Sequence, residues 1–248
     1  MKKRLSLLLC FVFFISACAN TKEEKKEEKK ETDTQEKTEK KELTSLLQFQ
    51  ETYPDDQPVA TIQTDYGEIV IVLFPKQAPK AVENFSTHAK NGYYDGVTFH
   101  RIIEDFMIQG GDPKGDGTGG ESIWKEGFAE EITYELYHFK GALAMARTSA
   151  PSSQGSQFYI VQSANTALAY QYDTIVEEKY AEVGGTSNLD GNYTVFGQTI
   201  AGLDVVDAIA KVEKTDEVDA SGSKSVAKNP VYIKTITMST YGEYHKTK

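Results

Sequence analysis

Apolar and polar positions alternate in short runs along most of this 248-residue chain, and turn residues bound the runs. Val59 to Thr64 and Ile69 to Phe74 are rich in β-branched residues and flank Asp65-Tyr66-Gly67-Glu68, so the pair predicts a β-hairpin. From Pro79 to Asn91 the period changes. Ala81, Val82, Phe85 and Ala89 recur at three- and four-residue steps, Pro79 suits a first helical turn and Gly92 a stop, which predicts a helix. Strands are predicted over Val97 to Ile103 and Phe106 to Gln109, around a turn at Glu104-Asp105. Further strands are predicted over Ala142 to Ala146, Gln157 to Val161 and Val195 to Ile200. Asp173 to Val183 predicts a short helix capped by Asp173 and ended by Gly184-Gly185. Leu203 to Lys211 predicts another, with Leu203, Val206, Ile209 and Ala210 facing inward. Thr215 to Pro230 is polar and reads as a loop. Val231 to Met238 is a last strand whose inward set shifts between Ile233 and Ile236, which predicts a bulge. The tail from Ser239 is expected to fray. About eight strands and two long helices, without βαβ regularity, predict a mainly β fold: a closed eight-stranded antiparallel barrel capped by two helices.

The first fifty residues follow a different pattern. Lys2, Lys3 and Arg4 lead an apolar run that ends at Ile15-Ser16-Ala17-Cys18, which reads as a secretory signal too short for a membrane-spanning helix. Its end resembles a bacterial lipobox. That resemblance implies cleavage before Cys18 and acylation of the cysteine, each buried CH₂ contributing about 0.8 kcal/mol of anchoring. Thr21 to Glu42 holds no large apolar residue and cannot bury a face, so it reads as a solvated tether. The chain is therefore divided into a signal peptide (1–17), a lipidated N-terminus with a charged disordered tether (18–50) and a folded domain (51–248). The expected location is extracytoplasmic, lipid-anchored to the cell membrane through Cys18.

Charge and cysteine usage narrow the function. The net charge is −10, and the leader is basic, so the rest of the chain is more acidic than the total. That balance argues against nucleic acid and against electrostatic docking to an anionic membrane. Cys10 and Cys18 are the only cysteines, so no disulfide is expected in the domain. His88, His100, His138 and His245 lack metal-ligand spacing, and no metal or cofactor is expected. Gly115 to Gly120 is glycine-rich, but no Gly-Lys-Ser/Thr follows it, and no Glu stands twelfth from Asp112 as a calcium loop would need. Ser156 lies in Gly-Ser-Gln rather than a Gly-x-Ser-x-Gly elbow, which disfavours a hydrolase.

The richest stretch is Phe99 to Asp112, FHRIIEDFMIQGGD. Arg101, Phe106, Met107 and Gln109 join apolar bulk to donors that address amides, a mixture suited to holding a peptide rather than cutting it. With GDGTGGESIW (115–124), GALAMAR (141–147), GSQFYIV (155–161) and LDGNYTVFGQ (189–198), it resembles the cyclophilin-type peptidyl-prolyl cis-trans isomerases over roughly Ala60 to Met238. The resemblance implies the same barrel and gives the residues roles. Arg101 matches the catalytic arginine, with Phe106 and Gln109 beside it. Phe106, Met107 and Leu189 match proline-pocket walls. Gln109 matches the residue that holds both the substrate carbonyl and Arg101. Gln157, Ala146, Tyr159 and Tyr193 match substrate-contacting positions, and Arg147 falls near the edge that pairs with substrate backbone.

The chain also departs from the family pattern. Tyr159 stands where Phe is common and Tyr193 where many members have His. Asn188 stands where cyclosporin-sensitive members have Trp, which implies weak cyclosporin affinity. The segment Ser163 to Thr186 is longer than the minimal pattern and is expected to shape access to the pocket. The reading is a monomeric isomerase of X-Pro bonds in exported, proline-containing polypeptides. The alternative is a surface chaperone or adhesin whose isomerase activity is incidental.

Overall fold

Eight strands pair into one antiparallel sheet: β1 (Pro58–Thr64), β2 (Gly67–Leu73), β3 (Arg101–Ile103), β4 (Met107–Gly110), β5 (Ala142–Met145), β6 (Phe158–Val161), β7 (Val195–Ala201) and β8 (Ile233–Thr240). The computed structural model describes residues 44–219 and 222–246. The expected signal peptide, Cys18 and the tether up to residue 43 lie outside the described residues. Strand order is β3-β4-β6-β5-β7-β2-β1-β8.

The expected closed barrel is corrected to an open half-barrel, because β3 and β8 end the ladder without pairing. The residues just before β3 meet the start of β8 and the residues just before it instead. Thr98 and Tyr232 form a single bridge, Ile233 N donates to Val97 O at 2.8 Å, and Phe99 N donates to Val231 O at 2.9 Å. The contact does not extend into a ladder: further along, Ile102 N donates to Ser225 O at 2.7 Å instead. The predicted strand Val97 to Ile103 is accordingly reduced to its last three residues.

The helices are α1 (Pro79–Lys90), α2 (Thr174–Val183), α3 (Leu203–Ala210) and α4 (Tyr241–Lys246). Pro79 opens α1 where a missing N–H has no consequence. Phe85 of α1 and Val206 and Ile209 of α3 enter the same core cluster as Ile71, Leu143, Phe158 and Phe196. The two capping helices expected from the sequence are these. Helix α2 packs separately, with Val176 and Tyr180 against Tyr137 and Phe139.

Details of register agree with the pattern. A two-residue turn joins β1 to β2 between the paired Thr64 and Gly67. Gln63 pairs with Thr235 while Thr64 pairs with Ile233, so Lys234 is the extra residue of the expected bulge. The tail does not fray at Ser239. Strand β8 runs to Thr240, and Tyr241 at the head of α4 packs with Val59 and Val70 while its N–H donates to Gln57 O at 2.8 Å.

Residues assigned by sequence to the end of the tether belong to the folded unit. Leu46 and Gln48 are buried. The Gln48 amide donates to Tyr137 O (2.8 Å) and Gln198 Oε1 (2.9 Å) and accepts from Tyr137 N (2.8 Å), which satisfies a buried polar group. Charge dominates the sequence upstream, but this segment carries enough apolar surface to dock.

Candidate functional site

Strand alternation divides the sheet's side chains between two clusters. Ile71 and Leu73, Leu143 and Met145, and Phe158 and Ile160 enter the main core, while Val72, Ala142 and Ala144, Tyr159 and Val161 belong to a second cluster. Met107 is in that second cluster, with Phe106, Ala146, Leu189 and Tyr193 partly buried against it. Register then assembles the site. Arg101 is paired with Gln109, Gln109 with Tyr159, and Tyr159 with Ala144, so one row crosses four strands. Paired residues on one face sit side by side.

A cavity of about 150 Å³ lies over this row, lined by Arg101, Phe106, Met107, Gln109, Ala146, Arg147, Tyr159, Leu189 and Tyr193. Every substrate-site residue expected from the sequence lines it except Gln157. That residue lines an adjoining cavity of about 280 Å³, shared with Gln109, Ala146 and the glycine loop 117–120. The Gln109 amide donates to Gln157 Oε1 at 2.9 Å, which links the two recesses.

The polar groups are held by residues that the sequence reading left without a function. Asp112 is fully buried, and its carboxylate accepts from Lys114 N (2.8 Å), Gly117 N (2.7 Å) and Gly119 N (3.1 Å). It folds the glycine loop upon itself. A Cβ at Gly119 would overlap the Asp112 carboxylate, so glycine is needed there for close approach. The loop carbonyls of Gly117 and Gly119 accept from Gln157 Nε2 at 3.1 and 2.8 Å, so Asp112 positions Gln157 through the loop.

Arg101 Nε donates to Asp219 Oδ2 at 2.7 Å. The expectation that Gln109 holds Arg101 is not what these bonds describe: the Gln109 amide is directed to Gln157 and the Arg101 Nε to Asp219. Arg147 forms the far rim. Its guanidinium lies 5.0 Å from the Tyr193 ring centroid, its Nε donates to Asn192 O at 2.9 Å, and it pairs with Glu130 at 3.4 Å. The Tyr193 ring is thus covered by this cation.

Behind Tyr159 lies a buried polar chain. Its hydroxyl is 3.0 Å from His138 Nε2, and His138 Nδ1 is 2.7 Å from Asp190 Oδ1. Burial pushes the Tyr159 hydroxyl well above its ordinary range, so it is a neutral hydrogen-bonding group and not a nucleophile. Burial likewise holds the His100 imidazole, next to Arg101, below its ordinary range, with Asp112 opposing the effect. Asn188, on the turn Ser187–Leu189, is exposed. Among the described residues no group of three His, Cys, Asp or Glu side chains is placed to hold a metal ion. The arrangement offers two cations, Arg101 and Arg147, two amides and an apolar recess, which can grip and polarise a peptide group but supplies no activated nucleophile.

Comparison with known proteins agrees with this chemistry. The family model described as cyclophilin type peptidyl-prolyl cis-trans isomerase/CLD matches residues 59–238. A Staphylococcus haemolyticus protein described by the same isomerase activity is 43% identical over 178 residues, 69% of this chain and 89% of that protein. A Streptococcus pyogenes serotype M6 protein, described as a bifunctional phosphatase/peptidyl-prolyl cis-trans isomerase, is 46% identical over 187 residues. That match takes in 72% of this chain but spans only 38% of the streptococcal protein. The crystal structure of a Cryptosporidium parvum cyclophilin type isomerase, determined in the presence of the dipeptide Ala-Pro, aligns with a TM-score of 0.60 at 32% identity. It covers 73% of this chain and 99% of that one.

Proposed function

The chain belongs to the cyclophilin-type peptidyl-prolyl cis-trans isomerases, and from that premise we propose that the cavity over Arg101 is where an X-Pro bond is turned. Rotation is slow because C–N resonance must be broken. At the twisted geometry the amide nitrogen becomes pyramidal and basic, so a donor aimed at it stabilises the transition state more than the planar ground state. Arg101 is that donor, and its guanidinium keeps its charge across the physiological range. Phe106, Met107 and Leu189 hold the proline ring in an apolar slot. Gln109 anchors the preceding carbonyl, and Gln157, Ala146, Tyr159 and Tyr193 contact the flanking peptide.

The observation that carries this reading is the cross-strand pair Arg101 and Gln109 beside an apolar recess. The test is a protease-coupled assay on a prolyl tetrapeptide. Arg101→Ala is expected to lower kcat/KM about 10²-fold, the size found for removing one transition-state donor. Unchanged turnover would transfer the function to peptide binding alone.

We further propose that the mature protein is a lipid-anchored, extracytoplasmic folding helper for exported, proline-containing polypeptides, acting as a monomer. The support is the apolar leader that stops at Cys18 and the charged stretch behind it. Membrane fractionation of wild type and Cys18→Ala checks the anchor: the variant is expected in the soluble fraction, and equal membrane retention refutes acylation as the anchor.

A further inference from the structure

The catalytic arginine of this chain is held from outside the sheet. Residues 213–219 and 222–228, beyond the end of α3, pair with one another as a small two-stranded excursion. Thr215 N donates to Val226 O (2.8 Å), Lys228 N to Glu213 O (2.8 Å) and Asp219 N to Ser223 O (2.9 Å). Asp219 stands at its turn, where Gly222 N donates to Asp219 O at 2.9 Å and Ser223 N to Asp219 Oδ1 at 3.2 Å. The excursion docks on β3 at two neighbouring residues. Ser225, itself buried, accepts from Ile102 N at 2.7 Å, and Asp219 Oδ2 accepts from Arg101 Nε at 2.7 Å. The Arg101 and Asp219 side chains are 27% and 17% exposed, so the pair is shielded from bulk water without being fully dry.

An arginine with four free torsions loses much rotamer entropy when it must present one face of its guanidinium. A carboxylate on Nε removes that freedom beforehand through a charge-assisted bond. The cross-strand neighbour Gln109 directs its amide to Gln157 rather than to this task. We propose that Asp219 is a positioning residue for the isomerase reaction, orienting the Arg101 guanidinium toward the prolyl amide before substrate arrives. This rests on the reading of Arg101 as the donor to that amide. Asp219 itself touches no reacting atom, and its effect passes through Arg101.

The experiment is a double-mutant cycle in the full chain with a prolyl tetrapeptide. Asp219→Ala is expected to lower kcat about tenfold, the loss typical of one charge-assisted hydrogen bond, with KM within about twofold of wild type. Asp219→Asn keeps an acceptor oxygen and is expected to recover most of that loss. In an Arg101→Ala background, Asp219→Ala is expected to change turnover by less than about twofold. Exchange of the Ile102 amide, followed in each variant, separates orientation from undocking. Protection retained while kcat falls supports the proposal, and protection lost in step with kcat overturns it. Wild-type kcat in Asp219→Ala, or an equal fractional loss in both backgrounds, also overturns it. Full activity in Arg101→Ala alone would instead remove the role of Arg101, so the two failures are told apart.

Discussion

Asp190 Oδ1 lies 2.7 Å from His138 Nδ1, and the same oxygen accepts the His138 backbone N–H at 2.8 Å. Its other oxygen accepts from the hydroxyls of Tyr180 (2.7 Å) and Tyr172 (2.8 Å). One buried carboxylate thus ties α2 and the segment before it to the histidine that meets Tyr159. Both ring nitrogens of His138 are thereby engaged, Nδ1 by Asp190 and Nε2 by the Tyr159 hydroxyl. The long segment Ser163 to Thr186 is in this way attached to the back of the cavity wall.

Asp190→Ala is expected to destabilise the domain by about 3 kcal/mol, because three buried donors, His138 N, His138 Nδ1 and the Tyr180 hydroxyl, lose their acceptor at once. Tyr159→Phe removes only the end of the chain and is expected to cost about 1 kcal/mol. Urea denaturation of both variants measures this. Equal midpoints for Asp190→Ala and wild type would show that the network carries no stability.

Asp112→Ala is expected to release the glycine loop and, through Gln157, to weaken substrate binding. KM should rise by about threefold to tenfold while kcat changes less, since the role proposed for Gln157 is to grip the flanking peptide without addressing the turning nitrogen. Gly119→Ala should mimic the effect, because the methyl group would occupy the place of the Asp112 carboxylate. A loss confined to kcat, with KM unchanged, would contradict this division of labour.

Acid sensitivity should arise from two histidines, the buried His88 and the half-buried His100. Burial lowers the pKa of both His88 and His100 below the ordinary 6.5. The unfolded chain therefore takes up protons first as the pH falls. Stability is fullest above 6.5, declines as the pH drops below it, and levels off once the folded imidazoles protonate. Histidine titration by NMR should give midpoints under 6.5 for both rings. A midpoint above 6.5 for His100 would contradict the burial argument.

Alkaline behaviour follows with the opposite sign. Burial pushes Tyr53 and Tyr137 up to about 12, against an ordinary value of 10.0. Tyr172 and Tyr180 are also raised, by burial first and by Asp190. Folded tyrosines keep their protons where unfolded ones lose them. Stability is fully present below pH 10 and is lost as the pH rises toward 12 and beyond. Ultraviolet titration should show one group of tyrosines ionising near pH 10 and another only with unfolding. A single transition of all of them near pH 10 would refute this.

Much of the fold was legible because strands and helices write their periods into the chain. The β1–β2 hairpin, α1, α3 and the bulge at Lys234 were all readable from local pattern. Misreadings fell where a distant partner decides. Leu46 and Gln48 looked like tether until Tyr137 and Gln198 supplied their surroundings. Val97 to Phe99 have strand residues but meet only a short stretch before β8, so the barrel stays open. Asp112 had been considered only as the start of a calcium loop, and its actual partners are backbone N–H groups with no residue-type signature.

Family, strand and helix content, and the side chains that line the cavity could be read from the chain alone, because residue identity and period are local properties. Which of those side chains become neighbours is set by the fold. Strand register lines up Arg101, Gln109, Tyr159 and Ala144 in one row, and the row follows from hydrogen-bonded pairing between separate segments. Loop closure brings Asp219 to Arg101 from 118 positions away, a meeting that depends on how the end of α3 leads back to β3 and leaves no periodic trace in the chain.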